Sequence, residues 1–501
     1  MPPRPHDSRT VGRMQVELRN TIDSGLPPDD DHPYRTGPWR PQFREYDAWD
    51  LDVEGEVPAD LSGVYIRNTE TAVFEPIKRY HPFDGDGMLH SISFGNGEVR
   101  YSNRFVRTDA FLAEQEAKAS LWAGITEHPS NAVADHGWGA RTMMKDNAST
   151  DVIVHGGEAL ASFYQCGELY RLDPVTLADH GKSTWGGRFP AEGVSAHPKV
   201  DEHTGELLFF NYGTEAPYMH YGVVDADGEL TTYIDIPLAG PRLPHDMAFT
   251  ENFSILNDLP LYWDPQALAD GYYSNRFARD EPSRFAVVPR HGTTEDIRWF
   301  EADPTFVLHW TNAYEDGDEI VLEGFFQHNP TARGVDRAAG GHKGFETLDM
   351  NVLQARAHRW RFNLATGATT EEQLSDTCCE FPMINGRHAG RRHRYSYNAR
   401  CVHGLFAFDA LIKHDVVDGT ETTFEFPTGT YISETVMAPR NGSTAEDDGY
   451  LLTYTTDMVA DASACWIFDA SDPAAGPVAK VALPERISSG THATWAPAAA
   501  L

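Results

Sequence analysis

Short runs of alternating or β-branched residues recur along almost the whole chain, and this period of two limits the possible folds more than any other feature. They include 64–68 (VYIRN), 99–108 (VRYSNRFVRT), 151–157 (DVIVHGG), 206–213 (ELLFFNYG), 319–326 (EIVLEGFF) and 450–456 (YLLTYTT), each with the character of a strand. Between them stand Gly95-Asn96-Gly97, His203-Thr204-Gly205, Asp225-Ala226-Asp227-Gly228 and Ala365-Thr366-Gly367, where Gly or Asn accepts the positive φ of a tight connection. Hairpin-sized turns imply antiparallel sheets. Helical patterning is sparse; the best stretch is 109–121, with Ala110, Phe111, Ala113, Ala117 and Leu121 on its apolar side. A strand meander sustained over about 450 residues without an internal boundary predicts one closed all-β domain, and a β-propeller suits that length best. No strict repeat marks the blades, so their number is not legible from periodicity.

Residues 1–42 are rich in Pro, Asp and Gly and read as a partly ordered N-terminal arm, leaving 43–501 as the single domain. The balance of 41 Lys+Arg against 75 Asp+Glu gives a net charge of −34, which argues against nucleic acid as a partner and against a grip on anionic lipid. No apolar run reaches the length of a membrane span, and the start lacks the apolar stretch of a signal peptide, so a cytoplasmic location is expected. Five cysteines without a C-x-x-C pair read as reduced thiols. The basic cluster at 387–394 reads as a solvated strand edge.

The chain has no nucleophile-elbow, Walker A or Rossmann fingerprint in a strand-turn-helix context. Among its 22 histidines, four stand beside small residues at the ends of strand-like stretches. They are His197 (VSAHPKVD), His245 (PHDMAFT), His309 (LHWTNAYE) and His492 (SGTHATW). Their wide spacing excludes a local metal finger, but a propeller points the first strand of every blade at one axis, where distant residues can meet.

These contexts, with FDGDGMLH at 83–90, NRFVRT at 103–108, CEFP at 379–382 and DGY at 448–450, make the chain resemble the carotenoid cleavage oxygenases from about residue 50 to 497. The resemblance implies a seven-bladed propeller under a dome of loops and helix, with Fe(II) on the axis held by His197, His245, His309 and His492. Four neutral imidazoles leave coordination positions open for O2 as co-substrate, whereas zinc has no redox chemistry. The resemblance also implies outer carboxylates at Glu380 and Glu434 that accept the ligands' other N–H. At the third such position the chain has Gln165, which predicts a site one carboxylate poorer. Thr150 matches a position whose side chain crowds one coordination site. Asp84, Asp86 and His90 read as turn and strand scaffold.

The family's reaction is oxidative cleavage of a carbon–carbon double bond with O2 into two carbonyl products. Stilbene and phenylpropene cleavers of the family hold the phenol with a Tyr and a Lys, where this chain has Ile125 and Tyr164. Without that clamp, an apolar polyene is the expected substrate, a carotenoid or apocarotenoid, with a stilbenoid as the alternative. Membrane contact, if the tunnel mouth makes it, is expected to be weak and apolar. Two other classes stay open. One is a propeller that binds a ligand without turnover; the other is a metal-dependent hydrolase using His245-Asp246.

Overall fold

The structure is a computed structural model that describes residues 14–95, 97–125, 127–134, 144–264, 266, 275–331 and 349–501. Asn96 of the first turn and residues 1–13 of the expected arm lie outside that set. The described chain is a β-propeller whose strand pairing resolves into seven blades. Blade 1 runs outward from Ala493–Pro497 through Gly63–Arg67, Asp86–Gly95 and Glu98–Phe105 to Arg44–Trp49 and Gln15–Thr21. Blades 2, 3 and 4 are four-stranded and begin at Asp151–His155, Lys199–Val200 and Ala248–Phe249, blade 4 carrying a two-stranded insertion, Leu261–Trp263 with Asn275–Phe277, between its second and third strands.

Blade 5 begins at Trp310–Asp316 and shares its last strand, Thr369–Met383, with blade 6. The first half of that strand pairs with Ala355–Asn363 and the second half with Tyr395–Cys401. Blade 7 starts at Val436–Pro439 and ends with Val53–Gly55 on its outer edge. The first strands of adjacent blades touch: Ala493–Pro497 meets both Val436–Pro439 and Asp151–His155, and Trp310–Asp316 meets Ala248–Phe249. They therefore ring the axis.

The ring is closed by antiparallel pairing of Ala493–Pro497 with Gly63–Arg67, Pro497 opposite Gly63. Gly63 has φ +153°, and a Cβ there would stand 2.4 Å from the Ala496 carbonyl, so this seam requires glycine. Between blades the apolar faces interlock; Phe285, Trp310, Trp360 and Phe362 form part of one continuous buried cluster spanning blades 4 and 5. Each such side chain contributes roughly 1.5–3 kcal/mol by leaving water.

Polar staples cross the same seams. The Arg290 guanidinium, 4% exposed, donates to Asp201 at 2.6 Å, Glu206 at 3.0 Å and the Thr250 carbonyl at 2.7 Å, tying blade 3 to blade 4. The basic cluster is not a bare strand edge: Arg391 pairs with Asp201, Arg392 with Asp316, Arg394 with Asp415, and buried His393 faces Glu323. Its charges are spent on carboxylates of blades 3, 5 and 6.

The expected helix forms over Asp109–Ala117, capped by the Thr108 hydroxyl, which accepts from Phe111 N at 2.9 Å. It stops short of Leu121 because Lys118 turns into the left-handed region, φ 54°. Within the segment read as an arm, Gln15–Thr21 is an exposed edge strand, while Trp39 is buried and donates its indole N–H to Phe406 O. No helix among the described residues is long and apolar enough to cross a membrane.

Candidate metal centre

Each of the four histidines stands at or just before the first strand of a blade: His492 in blade 1, His197 in blade 3, His245 in blade 4 and His309 in blade 5. The ring brings one nitrogen from each within 4.8 Å of all the others. His197 Nε2 and His245 Nε2 approach to 3.1 Å. Two nitrogens so close need a shared proton or a shared cation, and His309 Nε2 is buried with no hydrogen-bond partner. His197 sits in the left-handed region, φ 63°, uncommon for a residue with a Cβ and typical of positions fixed by a site.

Burial and mutual repulsion hold His197 and His245 well below the usual imidazole range, and burial brings His492 down to about 4. All four imidazoles are thus neutral near pH 7, the form that ligates metal. These residues could hold a metal ion.

Outer carboxylates come from the remaining blades. His309 Nδ1 meets Glu380 Oε2 at 2.6 Å, and His492 Nδ1 faces Glu434 Oε1 at 3.3 Å. Glu380 lies on a bulge opposite Ala399, with Phe381 at φ 54°, which re-aims the strand toward the axis. The other Glu434 oxygen accepts Ala493 N at 2.5 Å, bracing the strand that follows His492. Burial pushes Glu380 up to about 8 and Glu434 up to about 7.

Gln165 directly follows Tyr164 of the chamber wall. Its amide atoms are buried and lack hydrogen-bond partners, and the Tyr164 hydroxyl beside it makes no bond of good geometry with it. A further carboxylate, not singled out in the sequence, is Asp151, whose Oδ2 stands 3.4 Å from His197 Nδ1 while Oδ1 accepts Val152 N. Asp151 opens the first strand of blade 2, so every blade sends one residue to the axis: four histidines and three acids.

Thr150 lines the cavity above the histidines, its hydroxyl accepting Tyr164 N at 3.2 Å. Asp246 braces its surroundings: its carboxylate takes Lys199 Nζ, Met247 N and Trp310 N. That occupation removes the basis for a His245-Asp246 hydrolase. Asp84 accepts the backbone N–H groups of His81 and Ile125, Asp86 pairs with Lys145, and His90 bonds Tyr101, all scaffold roles.

Glu380→Gln, Glu434→Gln and Asp151→Asn are each expected to weaken metal retention by about 10–100-fold, read by metal analysis after dialysis against a graded chelator. Wild-type retention by Asp151→Asn would remove Asp151 from the centre.

A cavity opens on the histidines, walled by Phe83, Leu308, Phe381 and Phe406. The propeller thus carries an axial cage of four imidazoles beside an apolar chamber. The chain belongs to the retinal pigment epithelial membrane protein family, whose model matches residues 39–497. It is 32% identical to carotenoid 9,10(9′,10′)-cleavage dioxygenase 1 of Pisum sativum, over 97% of this chain and 93% of that protein. Its fold matches the lignostilbene dioxygenase of Pseudomonas brassicacearum with TM-score 0.82 and 27% identity, over 94% of this chain and 100% of that one. It matches the cobalt-substituted Synechocystis apocarotenoid oxygenase with TM-score 0.80 and 27% identity, covering 92% and 98%.

Proposed function

We propose that this protein is a ferrous dioxygenase that cleaves a carbon–carbon double bond of a carotenoid or apocarotenoid with O2, giving two carbonyl products. The observation that carries the reading is the cage itself: four neutral imidazoles converge with no carboxylate or thiolate among the converging atoms. Such a set suits a divalent metal with open positions, and a relative carrying cobalt supports a divalent occupant. Bound iron supplies the activation of O2.

The chain's own residues do the rest. Asp151, Glu380 and Glu434 each face an Nδ1 and hold that ring's orientation. Phe83, Leu308, Phe381 and Phe406 surround an extended apolar substrate and exclude bulk water. Ile125 N is bonded to Asp84, and its side chain packs with Phe163 and Tyr164, so no cationic clamp stands at those positions.

The test is aerobic incubation of iron-loaded protein with carotenoids, apocarotenoids and hydroxystilbenes, products identified by mass spectrometry under 18O2. Paired carbonyl products with label incorporated are expected, together with at least about tenfold higher kcat/KM for an apocarotenoid than for the hydroxystilbene resveratrol, whose phenol would be left unpaired. A fully iron-loaded protein that cleaves nothing in the panel sinks the reading and favours a ligand-binding propeller.

A further inference from the structure

Three of the four converging imidazoles are held from behind by a carboxylate: His197 by Asp151, His309 by Glu380 and His492 by Glu434. His245 is the exception, for among the described residues no carboxylate lies within ion-pair distance of its ring. What fixes it stands next to it in the chain. Asp246, 2% exposed, accepts Lys199 Nζ at 2.7 Å and Met247 N at 2.7 Å on Oδ1, and Trp310 N at 2.9 Å on Oδ2. Its backbone carbonyl takes the Asn257 amide at 2.6 Å and the Trp310 indole N–H at 3.3 Å. These donors belong to blades 3, 4 and 5, and Lys199 lies two residues past His197, Trp310 one past His309. One buried carboxylate thus ties together the strand heads that carry three of the four histidines.

The cage needs such a tie at one boundary above all. His197 Nε2 and His245 Nε2 stand 3.1 Å apart across the junction of blades 3 and 4, and two neutral imidazoles gain little from that approach until a cation lies between them. The Lys199–Asp246 pair crosses the same junction. A charge-assisted bond between buried partners is short and directional, so it holds the two strand heads at a set distance. Groups that orient metal ligands from outside act in this way, by preparing the geometry before the ion arrives.

Resting on the reading of the cage as a metal centre, we infer that Lys199 and Asp246 are positioning residues whose ion pair sets the separation of His197 and His245 for a divalent ion. This role and a purely electrostatic one differ in sign. A lysine acting only as a nearby charge repels the ion, so its loss, which also bares the Asp246 carboxylate, tightens metal binding. A lysine acting as a bracket lets the two rings part when it is lost, which weakens binding.

The experiment titrates metal-free protein with cobalt(II), whose visible ligand-field bands report coordination geometry. Lys199→Met should bind cobalt about 10–100-fold more weakly, the usual effect of losing an outer partner, and should shift the bands. Lys199→Arg, which keeps a charged donor, should restore most of both. Asp246→Asn, which keeps the shape of the side chain, should also weaken binding, and the double variant should add little to either single one, as expected of two residues acting through one contact. Arg290→Met is the control: it breaks another ion bridge across the junction of blades 3 and 4 and should leave the cobalt bands where wild type has them. Cobalt binding as tight as wild type or tighter in Lys199→Met or in Asp246→Asn, or an equal band shift in Arg290→Met, overturns the inference. Wild type that takes up no cobalt overturns the metal-centre reading itself, and the bracket falls with it.

Discussion

Alanine at any one of His197, His245, His309 or His492 is expected to reduce iron from about one per chain to below about a tenth of that and to abolish turnover. An outer-sphere partner already governs about 10–100-fold of metal affinity, and removal of a ligand exceeds that range. The four nitrogens lie within 4.8 Å of one another, so no spare donor among them can replace a lost one. Far-ultraviolet circular dichroism should remain that of wild type, because each histidine sits at a strand head and not in the packed faces between blades. Metal analysis and activity on the same preparations decide the matter. A variant that folds normally and keeps full iron and full activity takes its residue out of the centre.

The second large effect is on stability. Arg290→Met should destabilise the protein by about 3–5 kcal/mol, the usual consequence of stripping one partner from a buried ion pair. Asp201 keeps its contact with Arg391 and Glu206 keeps Thr204 and His291, which places the expectation toward the lower end, but the Thr250 carbonyl loses its guanidinium donors. Chemical denaturation of wild type and variant in parallel, at fixed metal content, reads the difference. A change under about 1 kcal/mol would mean that apolar packing alone holds blades 3 and 4 together.

The four histidines were legible because an ordered set of motifs identified their contexts, and Glu380 and Glu434 for the same reason. Asp151 was not, although it stands beside Thr150 and opens a run that reads plainly as a strand. Its signal is positional: like the four histidines, it stands at or just before the start of a first strand, and that regularity appears only once the blades are paired. The blades could not be counted from periodicity because Thr369–Met383 serves two of them and the flanking strands vary in length. The helix overran in the sequence reading because the left-handed turn at Lys118 has no glycine to announce it.

The closing seam has a consequence for assembly. Pro497 pairs with Gly63, more than 400 positions away, and His492 directly precedes the strand that makes this contact. The cage is thus completed by one of the longest-range pairings in the molecule, of the kind that forms late because its loop entropy is met only near the end of folding. An open ring presents three imidazoles, a closed ring four. A metal ion held by all four would bind the closed form more tightly than the open one and would act as a latch, its binding free energy stabilising the closed ring. Chelation should accordingly hasten unravelling from this seam before any other blade loosens, and protection of the Ala493–Pro497 amides against hydrogen exchange becomes a direct gauge of whether the centre is loaded.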